Sequence, residues 1–214
     1  MKTCSVIISL TLALCAALTP ARAGTPVGEP DAVVRSEAAR LRALAERLTD
    51  YGTLEASFVQ TRILGKVGQT LTSTGTVAVN DRGDFSWVQT TPFKQTVRLE
   101  GERFSIQYED EQPDVMTEAS HPAVWSAARL LVSVVRMDLP VLGKHFTTSL
   151  TDGSDGRWQV VLEPTDPTLR TLLGTVTLTG DTVVRRIVMA PGQDNRTEMV
   201  FESVRSTPKA AAKY

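Results

Sequence analysis

Cysteine is nearly absent. The 214-residue chain has two, Cys4 and Cys15, and both fall near its start. That start reads as a cleaved secretory leader. Lys2 precedes an apolar run from Val6 to Leu18, and Ala21-Arg22-Ala23 supplies a small-residue cleavage site, so residues 1–23 are expected to be removed. The run is too short to span a bilayer, which takes about 20 residues. Cys15 raises a lipoprotein alternative, but Leu14 occupies the position where cleavage before an acylated cysteine wants a small residue. A mature chain starting at Gly24 would hold no cysteine, which excludes disulfides, thiol nucleophiles and thiolate metal sites despite the oxidising destination.

Histidine is nearly as scarce. His121 and His145 stand in separate segments without ligand or base spacing around them. The sequence contains no G-x-S-x-G, no H-E-x-x-H, no glycine-rich phosphate loop and no G-x-G-x-x-G. The Asp152–Gly156 stretch, DGSDG, lacks the further acidic ligands and closing glutamate of a calcium loop and reads as a hairpin turn. No clustered nucleophile, base or ligand set emerges, so the expectation is a protein that is not an enzyme and carries no cofactor or metal. Charge of one sign is missing too. Without Lys2 and Arg22, 21 of the 23 basic residues face 24 acidic ones, a formal charge of −3, which gives no long-range attraction to nucleic acid or an anionic membrane. No later segment is long and apolar enough to span a membrane, and the expected location is the periplasm.

What is present is patterning. Leu41, Leu44, Leu48 and Tyr51 recur at helical spacing in DAVVRSEAARLRALAERLTDYG, with Asp31 or Ser36 as candidate caps and Gly52 beyond the end. From Leu54 the period becomes two. Val77 and Val79 share a face, as do Phe85 and Trp87; Phe104, Ile106 and Tyr108; Trp158, Val160 and Leu162; and Thr197, Met199 and Phe201. Turn clusters divide these short segments. The expected fold is mainly antiparallel β with some α: one curled sheet of about ten to eleven strands, an open or incomplete barrel, spanning residues 24–206, with 207–214 as a flexible tail.

One segment breaks the strand rhythm. SHPAVWSAARLLVSVVR has Ser120 as a candidate cap and Pro122 in the first turn. Ser126, Arg129, Ser133 and Arg136 form a narrow polar stripe, and the rest is apolar or Ala. A helix so apolar must be buried on more than one side. It either packs centrally or lies as a lid over a hydrophobic opening, with a second short turn up to Gly143.

The stretch VNDRGDFSWVQTTPFKQT contains Arg82-Gly83-Asp84, an adhesion tripeptide by spelling. Its residues are ordinary turn formers, and the informative part is Phe85 and Trp87, two large aromatics pointing to one side of a strand.

LEASFVQTR, the glycine-led STGTVAVN, DFSWVQTTP and VRLEGERFSIQYED together resemble the periplasmic lipoprotein carrier family, LolA. The matching residues are Phe58, Gln60, Phe85, Trp87, Pro92, Gly101 and Tyr108. The likeness is specific between about Leu54 and Asp110 and extends in strand rhythm beyond. The family's Arg-Pro falls on Asp81-Arg82, so the arginine is displaced and the proline missing. The resemblance implies an open barrel with helices over its concave face and a monomer that shields acyl chains of lipoproteins, or of a related lipid cargo, between an inner-membrane donor complex and an outer-membrane acceptor. The lipid-binding candidates are Phe85, Trp87, Phe104, Ile106, Trp125, Leu131, Val132, Val135, Met199 and Phe201, with Arg82 as the lid and hand-over candidate. The alternatives are an envelope lipid-sensing or regulatory domain of the same fold, and a membrane-anchored acceptor of the LolB kind, which would need an acylated N-terminal cysteine.

Overall fold

Among the described residues, eleven strands form one sheet in which every neighbouring pair is antiparallel and the two edges do not meet. The computed structural model describes residues 32–153, 155–192 and 194–209, without the side chains of 32–35, 123, 124, 127 and 131. The expected leader therefore lies outside the described residues, as do residues 210–214.

Helix α1 (Ala32–Leu48) precedes β1 (Thr53–Leu64), a 3-10 turn at Gly65–Val67 and β2 (Gln69–Asn80). Then follow β3 (Phe85–Thr91), β4 (Gln95–Glu100), β5 (Arg103–Tyr108) and β6 (Asp114–Met116). Helices α2 (Pro122–Arg136) and α3 (Leu139–His145) lead to β7 (Phe146–Asp152) and β8 (Trp158–Pro164). Helix α4 (Pro167–Leu173), β9 (Thr175–Gly180), β10 (Val184–Ala190) and β11 (Asn195–Thr207) complete the order. The strands lie in space as β6-β5-β4-β3-β2-β1-β11-β10-β9-β8-β7. The first and last strands thus pair in the middle of the sheet. The α2–α3 segment connects one edge strand to the other, so it must cross a face of the sheet.

The period-two reading placed the concave face correctly. Val77, Val79, Phe104, Trp158, Val160, Leu162 and Phe201 are all buried on it. Ladder register carries one row from Ile106 through Val97, Trp87 and Val77 to Ala56. Another runs Gln60, Met199, Ile187, Leu178, Val160, Leu150. Two apolar cores result. The larger joins Leu44 and Leu48 of α1, Leu130 and Val134 of α2, Leu142 of α3 and strands β7–β11 with β1 and β2. The smaller joins Val97, Leu99 and Phe104 to Trp125, Ala128 and Val132 of α2. Phe85 and Trp87 pack against both. The apolar α2 segment is therefore buried on several sides, as its composition requires.

Gly75 permits the join between β1 and β3. It sits beside Phe58 in the ladder, and a Cβ there would lie 2.8 Å from a Phe58 ring carbon and against the Val88 carbonyl oxygen. With that Cβ missing, the Phe58 ring stacks on Trp87 across β2, centroids 3.7 Å apart at 24°.

Local details depart from the sequence reading. Ser120 does not cap α2. Its hydroxyl accepts from the Thr117 amide at 2.9 Å within the preceding turn, and His121 takes the N-cap position without a side-chain cap bond. Tyr51 lies beyond the end of α1, yet is buried because the chain turns inward there to enter β1. Ser133 is buried and not part of a wet stripe, its hydroxyl satisfied by the Arg129 carbonyl at 2.8 Å. Thr207 pairs with Thr53 inside β11, so the ordered strand runs into the segment expected to be tail.

Candidate functional site

Between α2, α4 and the sheet from β5 across to β9 lies a hollow of about 340 Å³, within the size range of small-molecule sites. Phe85, Trp87, Val97, Leu99 and Phe104 form its wall on one wing of the sheet; Val176, Ile187, Met189 and Met199 form it on the other. Ala128, Val132, Val134 and Val135 of α2 roof it. Gln60, Arg62, Asn195, Arg196 and Thr197 bring polar groups to one end, beside Ile63 and Leu64. Burial lowers the Arg62 pKa, and a guanidinium at such a position stays charged. Apart from Thr171 of α4, the lining is otherwise aliphatic, aromatic or thioether. Such a wall offers dispersion contact and no directional chemistry.

Six of the ten predicted lining residues meet here: Phe85, Trp87, Phe104, Val132, Val135 and Met199. Three others are elsewhere. Trp125 is buried in the smaller core with Arg129 over its ring at 5.8 Å, and Ile106 packs against that same core. Phe201 shares a face with Met199 but pairs with Phe58 in the larger core, where it is buried. Alternation gives the face of a side chain; its distance along the strand decides whether it reaches a cavity. The Leu131 side chain lies outside the described residues.

Arg82 is not placed to act on the roof. Its side chain is mostly exposed and its ion pair is with Asp84, at 3.5 Å. The arginine that joins turn to helix comes from the other partner. Arg136, at the end of α2, donates through Nη2 to the Asp81 carbonyl at 3.1 Å. It also hydrogen-bonds the buried Tyr51, whose pKa burial raises while the guanidinium opposes that rise. Its Nη1 passes over Gly83, where a Cβ would come within 2.5 Å, and Gly83 holds a left-handed φ of 92°. The tripeptide is thus the seat of the helix end. Asp84 braces it, accepting from Asn80 Nδ2 at 2.9 Å and from the Gly101 amide at 3.0 Å. These bonds, Asn80 first, hold its carboxyl below the ordinary aspartate value. Residue types alone showed Arg136 as one more member of a polar stripe.

The wall also contains Thr171, Leu172 and Leu173 of α4, a helix the sequence reading passed over. Its signals were present. Asp166 caps it through the Thr168 and Leu169 amides, Pro167 opens the first turn and Gly174 ends it. Seven residues make only about two helical turns, too few for an apolar period to stand out between two strand patterns.

Among the described residues, no group of three or more His, Cys, Asp or Glu is placed to hold a metal ion, and no helix is long and apolar enough to cross a membrane. No curated protein matches the chain. Among solved structures, the MucA/MucB complex of Pseudomonas aeruginosa aligns at 16% identity over 81% of this chain, TM-score 0.46. This chain spans 59% of the length of that one. A LolA superfamily protein of Nitrosomonas europaea aligns at 9% identity, covering 78% of this chain and 94% of its own, TM-score 0.42. The lipoprotein LppX of Mycobacterium tuberculosis aligns at 13%, with 78% and 95% covered and TM-score 0.39. The profile described as outer membrane lipoprotein carrier protein LolA matches residues 49–214, which takes in every strand and three of the four helices, and this chain belongs to that family.

Proposed function

We propose that this protein is a periplasmic carrier that holds the acyl chains of a lipoprotein, or of a related lipid, in the hollow under α2. The observation that carries the reading is the hollow itself: an apolar space of about 340 Å³ walled by Phe85, Trp87, Phe104, Met189 and Met199 and roofed by Val132 and Val135. Each methylene moved from water to such a wall gains roughly 0.8 kcal/mol, so a hydrocarbon chain is the ligand class that gains most. Membership of the carrier family supports the same ligand class. Binding would need no catalytic group, and release would need only that α2 lift.

Titration of the purified protein with an acyl-chain fluorophore, competed by unlabelled lipid, tests this. Wild type is expected to bind. Val135→Asp and Met199→Asp should weaken binding at least about tenfold, because a carboxylate in an apolar wall must be either desolvated or protonated. Failure of the wild type to bind any acyl ligand defeats the reading. Binding without transfer to acceptor membranes would turn it toward a lipid-sensing domain.

A further inference from the structure

Three of the five large hydrophobic side chains left exposed among the described residues sit on one hairpin tip. Ile63 is 41% exposed, Val67 64% and Leu71 42%. Isolated exposed apolar residues need no explanation, but these three share a projection. The β1–β2 ladder continues from Thr74 to Gln69 beyond the last partner in β3, Thr91. Five residues at about 3.3 Å each carry the tip roughly 16 Å past β3, while on its other side β11 stays paired with β1 up to Leu64 and Asn195.

The three side chains do not share a face. Leu71 stands opposite Arg62 and continues the concave row that includes Ser73, Gly75 and Val77, whereas Ile63 alternates onto the convex side and Val67 lies in the 3-10 turn at the apex. A groove on a protein partner would dry one face of such a hairpin. A lipid leaflet meeting this end of the sheet dries both faces and the apex. The charges nearby are Lys66 at the apex, Arg62 and Arg196, against Asp194 and Glu198, the last already paired with Arg186 and Arg196. That balance does not repel anionic headgroups. Arg62 and Leu64, which alternate onto the concave side, belong to the wall of the hollow, and Leu71 stands opposite Arg62. The exposed tip and the hollow are therefore continuous.

We propose that the β1–β2 tip is a membrane-docking wedge that enters the headgroup region of a lipid leaflet and sets the open end of the hollow against it. This rests on the carrier reading, since it gives the bound chain a path into lipid that never crosses water.

The test is flotation of the purified protein with vesicles of phosphatidylethanolamine and phosphatidylglycerol, alongside fluorophore binding measured without vesicles. Wild type is expected to float. Val67→Glu and Leu71→Glu should each reduce vesicle partition by about tenfold, the factor that burial of one such side chain is worth. Both variants should keep acyl-fluorophore affinity and thermal midpoint, because these side chains are outside both cores. They should also slow transfer of the fluorophore to vesicles. A wild type that binds the fluorophore but not vesicles overturns the wedge and leaves the carrier reading standing. Flotation unchanged in both variants overturns it too, as does wild-type self-association that Val67→Glu abolishes, since the tip would then be covered by a second copy. Loss of fluorophore binding in wild type sinks the carrier reading and this one with it.

Discussion

One ladder row passes from hollow to solid. Gln60 and Met199 line the cavity half-buried, Ile187 lines it from a buried position, and Leu178 and Val160 next along the row have no exposed surface. The strands, the face and the alternation are the same throughout. What differs is the cover. Leu44 and Leu48 of α1 with Leu142 of α3 pack into the core that closes over β7–β9. The middle of the sheet is roofed by α2 on one side and α4 on the other, and the space between them stays unfilled. Val160, Leu162 and Leu178 fill the sealed part, while Trp87, Met189 and Met199 face the gap beside aliphatics such as Val176 and Ile187. A close-packed interior leaves few voids larger than a water molecule, so a space this large beside so dense a core is a feature of the site and not of loose folding.

Paired truncations along that row would show the contrast most strongly. Leu178→Ala should cost about 2–5 kcal/mol, because the sealed wing cannot collapse onto the space left behind. Met199→Ala should cost about 1 kcal/mol or less, since one side of that side chain already faces a void. Its effect should appear as weaker acyl-fluorophore binding instead. Equal losses of stability in a denaturant titration would mean that the hollow is as tightly packed as the rest.

Much of this division was readable in advance, though unevenly. Period-two alternation gave the concave face at Val77, Phe85, Trp87, Val160 and Met199, because a strand has only two faces and one of them must be dry. It could not say that Phe201, two residues from Met199, would be covered by Phe58, since that depends on which strand is the neighbour. Nor could it separate Trp125 from Val132. Both are apolar residues of α2, but seven positions along the helix place them at different heights over the sheet, and only the second overlooks the gap. The composition of α2 showed that it was buried. Where it was fastened depended on the fold of the Asp81–Asp84 turn, and so Arg136 was missed and Arg82 chosen.

Loosening that fastening should affect the roof and spare the sealed wing. Arg136→Ala removes the bond to the Asp81 carbonyl and the contact with Tyr51. A charged hydrogen bond of this kind, half-buried, is worth about 1–2 kcal/mol. Gly83→Ala should act in the same direction, combining left-handed strain with displacement of the guanidinium. Hydrogen exchange is the discriminating measurement: amides of α2 should lose protection while those of β8 and β9 keep theirs. Uniform loss across both would show that α2 opens only when the whole protein unfolds.

The smallest effect concerns the brace beneath the fastening, and it is a matter of pH. The Asp84 carboxylate accepts from Asn80 and from the Gly101 amide, and these bonds depress its pKa in the folded chain below its unfolded value. A depressed acid stabilises the fold above the unfolded value, near pH 4, and that contribution disappears as pH falls through the folded value. Asp84→Asn keeps the shape but loses the charge and turns one of the two accepting oxygens into a donor, so it should lower the thermal midpoint at pH 7 slightly. The gap between wild type and variant should then close as pH drops below about 4, where wild type is protonated as well. The part of the chain nearest this turn, β2, β3 and the end of α2, should show the change, and the sealed wing should not. A gap that stays constant from pH 7 to pH 3 would mean that Asp84 holds the turn by its shape alone and that its charge contributes nothing to seating Arg136.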